Sequence, residues 1–201
     1  MKKKLFIVAV CLLLAALVLT GCSHAEDIAT VNRLRRVDYS SVHLTVTVSK
    51  GFDEFVSTFD VVYDDGFNYT VTYDIQLLAT FADDGSIPEN FTESYQGVAV
   101  VQGQQVTSVS GKLPAGVNIE AADGRGFIFS EKNLTNVKVS DGVLTAKVSA
   151  PKSFIGASDF QCRPDSMSVR VSYTSRALKD IRVQYTSLSG NKVVLLYTYT
   201  V

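Results

Sequence analysis

The 201-residue chain contains two histidines, His24 and His43, three cysteines and no tryptophan. With His24 just behind an N-terminal apolar run, any histidine-based triad would rest on His43 alone. No two cysteines stand at metal-ligand spacing, and H-E-x-x-H, a Gly-rich phosphate loop and the G-x-S-x-G elbow are all missing. Zinc, nucleotide-dependent and serine-hydrolase chemistry are therefore left without a motif, and neither an enzyme nor a cofactor is expected. The acidic pairs Asp64-Asp65 and Asp83-Asp84 do not extend into the D-x-D-x-D-G pattern of a calcium loop, and each precedes the glycine that a turn needs. A basic excess is also lacking. The chain carries 19 Lys and Arg against 20 Asp and Glu, whereas nucleic-acid binding requires a positive surface. The absence of tryptophan excludes nothing.

What is present begins with Lys2, Lys3 and Lys4 followed by an unbroken apolar run from Leu5 to Leu19. About 15 residues at roughly 1.5 Å each span near 22 Å, short of the roughly 30 Å hydrocarbon core, so the run reads as a secretory signal and not a permanent span. It leads into Leu19-Thr20-Gly21-Cys22, which resembles the bacterial lipobox. The resemblance implies that residues 1–21 are removed, that Cys22 is acylated and becomes the N-terminus, and that 22–24 form a short lipidated tether. Two or more acyl chains give stable membrane attachment where one gives marginal binding. The expected location is the bacterial cell envelope, on the non-cytoplasmic side of a membrane.

Removing the signal takes three lysines, leaving 16 basic against 20 acidic residues in 22–201. Cys11 goes with the signal and Cys22 is acylated, so Cys162 stands alone and reads as a buried, inert thiol. Residues 25–201 read as one domain rich in Val, Thr, Tyr and Phe, a strand-forming composition.

Ile28, Val31, Leu34 and Val37 recur within Ala25–Val37, with acid first and Arg33, Arg35 and Arg36 last, which predicts a helix. Val42, Leu44, Val46 and Val48 alternate with polar residues, and a second strand runs near Phe55 to Tyr63 before Asp64-Asp65-Gly66. Then Phe67, Tyr69, Val71, Tyr73, Ile75, Leu77, Ala79 and Phe81 alternate over about 15 residues, near 50 Å at about 3.3 Å each. Such a strand suggests a strongly curved sheet with one apolar face. A loop holding Pro88, a hairpin around Gly103, an irregular stretch from Gly111 to Arg125 and the Phe127-Ile128-Phe129 cluster follow. One helical turn is expected at Ser130–Asn136. Asp141-Gly142 predicts a type I′ hairpin, Pro151–Pro164 reads as irregular, and three alternating strands close the chain. Ser149–Lys152 and Ser189–Lys192 spell S-x-x-K without an accompanying K-T-G, which reads as chance.

This order of elements resembles the bacterial lipoprotein-carrier superfamily, the LolA/LolB-like proteins with the LppX/LprG-type lipoproteins. The resemblance implies a mainly β fold, a long curved antiparallel half-barrel with an N-terminal helix and plug segments; an antiparallel β-sandwich is the alternative. It further implies that Phe67, Tyr69, Val71, Tyr73, Ile75 and Leu77, with Val171, Tyr173, Val183, Tyr185, Leu195 and Tyr197, line a site for a lipid or other hydrophobic ligand. The competing expectation is that the same rows are filled by the protein's own side chains and that the domain serves as a surface interaction or assembly module for an envelope protein.

Overall fold

A computed structural model describes residues 23–78, 92–103 and 105–201. The signal segment, Cys22, positions 79–81 of the expected long strand, and the Asp83-Asp84-Gly85 turn with the Pro88 loop lie outside the described residues.

Helix α1 (Ser23–Leu34) already includes Ser23 and His24, which were expected as tether. Its apolar stripe is the expected one: Ile28, Val31 and Leu34 are all buried. It stops three residues before Val37. Arg36 and Val37 donate to Arg33 O and Leu34 O, tightening the last turn. The Tyr39 hydroxyl also donates to Leu34 O at 2.9 Å while accepting from Leu178 N at 2.8 Å. Those bonds cap the orphan carbonyls and turn the chain into the sheet.

Ten strands follow: β1 (Ser41–Lys50), β2 (Asp53–Tyr63), β3 (Tyr69–Leu78), β4 (Thr92–Gln102), β5 (Gln105–Gly111), β6 (Leu134–Ser140), β7 (Val143–Val148), β8 (Ser168–Tyr173), β9 (Leu178–Thr186) and β10 (Lys192–Thr200). They form one open antiparallel sheet in the order β5-β4-β3-β2-β1-β10-β9-β8-β7-β6. Two meanders thus meet where β1 pairs with β10, from Ser41 opposite Thr200 to Ser49 opposite Lys192. One continuous sheet replaces the sandwich alternative.

Helix α2 (Pro151–Ile155) occupies part of the stretch expected to be irregular, with Pro at its start and Gly156 at a left-handed C-cap. The turn of helix expected at Ser130–Asn136 is instead a reverse turn, Asn133 N to Ser130 O, after which Leu134 enters β6. A 3₁₀ turn forms at Glu120–Asp123. The β6–β7 hairpin is as expected, with Asp141 and Gly142 at φ 51° and 73°; a Cβ at Gly142 would lie 2.5 Å from Tyr173 O.

Register carries the period-two pattern across the whole sheet. Val139, Leu144, Val171, Ile181, Tyr197, Leu44, Phe59, Tyr73, Gly97 and Gly111 face one another in succession, one from each strand. From Leu144 to Tyr73 every member of that row is buried. This face is the concave one. The opposite face presents the polar alternates, among them His43, Asp60, Thr72, Arg170 and Arg182. No described helix is long and apolar enough to cross a membrane.

Candidate functional site

Eleven of the twelve residues expected to line a site sit on the concave face. Tyr69, Val71, Tyr73, Ile75, Val171, Val183 and Tyr197 are buried, while Leu77, Tyr173, Tyr185 and Leu195 are half-buried against the same cluster. Phe67 is the exception, at 63% exposure. Asp65 accepts from Phe67 N at 3.0 Å and from Asn68 N at 2.9 Å, and Asp64 N reaches Asn68 O, so residues 65–68 are held in a turn before β3 begins. An aspartate closing an Asx-type turn ends the alternation that Phe67 otherwise continues.

The buried part of the face is covered by the chain itself. Ile28, Val31 and Leu34 of α1, Ile119 and Ala122 at the 3₁₀ turn, Phe127, Phe129, Phe154 and Met167 join the strand residues in one core. Phe127 stacks on Phe154 at 5.2 Å and meets Tyr197 edge-on at 5.3 Å, and Phe129 meets Phe154 edge-on at 5.2 Å. Sequence reading marked Phe127 and Phe129 as apolar but had no period by which to place them. Tyr73 lies over Gly97 of β4, where a Cβ would stand 2.3 Å from its hydroxyl.

Among the described residues this cover leaves part of the face half-buried. Towards the β1–β2 and β9–β10 connections the face continues unevenly: Val46, Val48, Leu77, Tyr95, Tyr185 and Leu195 are half-buried, while Phe55, Ser57 and Val193 among them are buried. Phe160 packs edge-on against Tyr185 at 5.2 Å. At the opposite end the face closes in a polar cluster that sequence reading missed. Asp123 is buried, and burial raises its carboxyl above the ordinary range. Its Oδ1 accepts from Arg125 N at 2.9 Å. The Arg125 guanidinium lies 4.5 Å over Tyr63 and donates to Gly66 O. Arg35, whose pKa is lowered by burial, donates to Arg125 O at 3.3 Å.

Tyr69 and Tyr197 donate to Glu120 O and Ala121 O. Burial pushes the Tyr63, Tyr69, Tyr197 and Tyr199 hydroxyls well above their ordinary value. A cleft of about 290 Å³ between Phe67, Tyr69, Glu120, Asp123 and Arg125 opens beside this cluster. The cluster ties the 3₁₀ turn and the segment after it onto the sheet. Its parts lie up to 164 residues apart in the chain, from Arg35 to Tyr199, so no local spacing announces it.

On the convex face His43 Nδ1 lies 2.6 Å from Asp60 Oδ1, and Thr45 Oγ1 lies 3.3 Å from His43 Nε2. The sequence of groups is that of an activated hydroxyl. His43 and Asp60 are exposed and Thr45 half-buried, Asp60 borders an open groove of about 370 Å³ with Thr58, Thr72, Asp74 and Gln96, and the neighbouring amides are engaged in the β1–β2 and β1–β10 ladders. Cys162 is half-buried beside Phe160 and Arg163 in an open cleft. Among the described residues no group of three His, Cys, Asp or Glu side chains is placed to hold a metal ion.

Comparison with protein-family profiles finds no match, and comparison with curated proteins finds none either. Among solved structures the chain is similar to LprF from Mycobacterium bovis, at 12% identity and a TM-score of 0.44, over 87% of this chain and 91% of that one. It is also similar to the dehydratase domain from the CurF module of the curacin polyketide synthase, at 7% identity and a TM-score of 0.24, over 86% and 79% of the two chains.

Proposed function

We propose that this protein is a lipid-anchored envelope protein, held through acylated Cys22, whose concave sheet face takes a lipid or other hydrophobic molecule. The observation that carries the reading is the set of half-buried residues Val46, Leu77, Tyr95, Tyr185 and Leu195, which border the buried apolar row and which, among the described residues, Phe127, Phe129 and Phe154 leave part-exposed. An acyl chain laid on this strip removes apolar surface from water at about 25 cal/mol per Å². It extends the face by displacing Phe160 or the aromatic plug of Phe127, Phe129 and Phe154. The protein acts by binding, without covalent chemistry.

A second reading has an observation of its own. Val71, Tyr73, Ile75, Val171 and Val183 are at most 2% exposed, as in a core filled by the protein itself. In that case the domain is an interaction module for an envelope protein, offering the free edges β5 and β6.

Native mass spectrometry of the chain from Ser23 onward, followed by organic extraction, separates the two. A carrier brings acyl lipid in near-stoichiometric amount and loses it on Leu195→Gln, at a half-buried position, in a variant that still unfolds cooperatively. A clean apo mass, with a cooperatively unfolding core, refutes the carrier and directs the search to protein partners.

A further inference from the structure

The convex face carries a groove of about 710 Å³ across β6, β7, β8 and β9, lined by Lys138, Lys147, Arg170 and Arg182 with Thr145, Ser168 and Gln184, and by no acidic side chain. Register explains the concentration of charge. Lys138 faces Thr145, Thr145 faces Arg170, and Arg170 faces Arg182, one transverse row on four adjacent strands about 4.8 Å apart. Lys147 stands one pleat along, opposite Ser168, which faces Gln184.

Two arginines directly opposite one another repel and destabilise a strand pair. Asp180, just beyond the groove lining, accepts from Arg170 Nη1 at 3.3 Å and from Ser172 Oγ at 3.1 Å, answering one of them. Among the described residues no ion pair involves Arg182, Lys138 or Lys147. In a chain whose formal charge is negative, this local cationic excess is a cost to the isolated domain that an anion with several acceptor oxygens removes.

We propose that this groove docks the phosphate headgroups of an anionic membrane surface. The choice of that source rests on the anchored reading above. The acylated residue directly precedes α1, which is only about 18 Å long at roughly 1.5 Å per residue. The helix lies against β6, the edge strand that supplies Lys138 to the groove. The anchor therefore keeps this edge strand near the membrane, with α1 packed on its inner side and the basic row beginning on its outer side.

The test uses the full chain in a nonionic detergent, titrated with dihexanoyl phosphatidylglycerol, dihexanoyl phosphatidylcholine, inorganic phosphate and a single-stranded oligonucleotide. The arginine Nε–H resonances of Arg170 and Arg182 are followed, and thermal unfolding is recorded in parallel. Phosphatidylglycerol is expected to shift both resonances with an affinity at least about tenfold above phosphatidylcholine. The difference should vanish near 1 M salt, where the screening length is about 3 Å. Arg182→Gln should weaken binding about fivefold and Lys138→Gln with Arg182→Gln about 25-fold, near the worth of a basic residue at an anionic surface.

Without anion both variants should unfold at or above the wild-type temperature, because a repulsion has been removed. Equal response to the two lipids, an unchanged affinity in Arg182→Gln, or a variant less stable than wild type overturns the proposal. Inorganic phosphate binding as tightly as phosphatidylglycerol also overturns it in favour of a free-phosphate site, and tighter binding of a single-stranded oligonucleotide overturns it in favour of nucleic acid. An intact mass showing Cys22 unacylated refutes the anchor, while lipid-selective shifts at Arg182 still support the groove, so the two failures are distinct.

Discussion

Replacing Phe154 with alanine tests whether the concave face is held shut by its own aromatic plug. Phe154 is fully buried, stacks on Phe127 at 5.2 Å with planes 18° apart, and receives Phe129 edge-on. Truncating a buried phenylalanine costs about 3–5 kcal/mol, part transfer and part cavity. For a domain of this size each kcal/mol moves the unfolding midpoint by about 2–4 °C, so the variant should melt about 6–20 °C lower. The space vacated lies against Phe127, which itself meets Tyr197 of the apolar row. A hydrophobic ligand should therefore stabilise Phe154→Ala, by about 2.7 kcal/mol at a hundredfold excess over its Kd for that variant, and stabilise wild type by less. Calorimetric scans of both proteins with and without a short-chain fatty alcohol make the measurement. A loss below about 1 kcal/mol would refute the packing account. A full loss with no differential rescue would refute the idea that plug and ligand compete for one face.

Two further perturbations address the polar end and the glycine contact. Burial raises the Asp123 carboxyl above its unfolded value of about 3.9, so the folded state binds the proton more tightly. Its contribution to stability is complete below that unfolded value and is lost as pH rises through the folded one. Asp123→Asn, which keeps the acceptor for Arg125 N, should flatten this decline in denaturant titrations above about pH 4; an unchanged slope would assign it to other groups. Gly97→Ala places a Cβ 2.3 Å from both the Tyr73 hydroxyl and Ser110 O. It should cost about 1–3 kcal/mol by overpacking, and a neutral effect in chemical denaturation would show that β4 relaxes there.

The strand content was legible because alternation survives wherever one face is buried. Val42 to Val48, Tyr69 to Leu77 and Val193 to Tyr199 each declare their inward side, and Asp141-Gly142 declares a hairpin because few other pairs accept two positive φ angles. Strand order was less accessible. That β1 pairs with β10 depends on two meanders meeting, and neither meander's sequence names the other. Phe67 was misplaced because an aromatic in phase with a strand looks like its first member, while the Asp65 bonds that end the strand act through backbone amides. The Asp123, Arg125 and Arg35 cluster and the Lys138, Arg170 and Arg182 row exist only once register is known.

The same physics explains why the choice between a carrier and a filled domain cannot be made from periodicity. Alternation reports that a face leaves water; it does not report what takes water's place. Val71 and Leu77 carry the same pattern on the same strand, yet Val71 is wholly buried and Leu77 is half-buried. The difference comes from segments with no period of their own: the 3₁₀ turn at Glu120–Asp123, the Phe127 cluster and α2. Among the described residues these bury the part of the face around Val71 and leave Leu77 and Leu195 half-buried. A ligand gains most where the cover thins, because there it buries new apolar area while displacing fewer packed side chains than at Phe127, Phe129 and Phe154. For that reason Leu195 and Leu77 discriminate between the two functions, and the fully buried Tyr73 and Ile75 do not: changing the buried pair costs the fold under either reading, whereas changing the half-buried pair costs a ligand only if one binds.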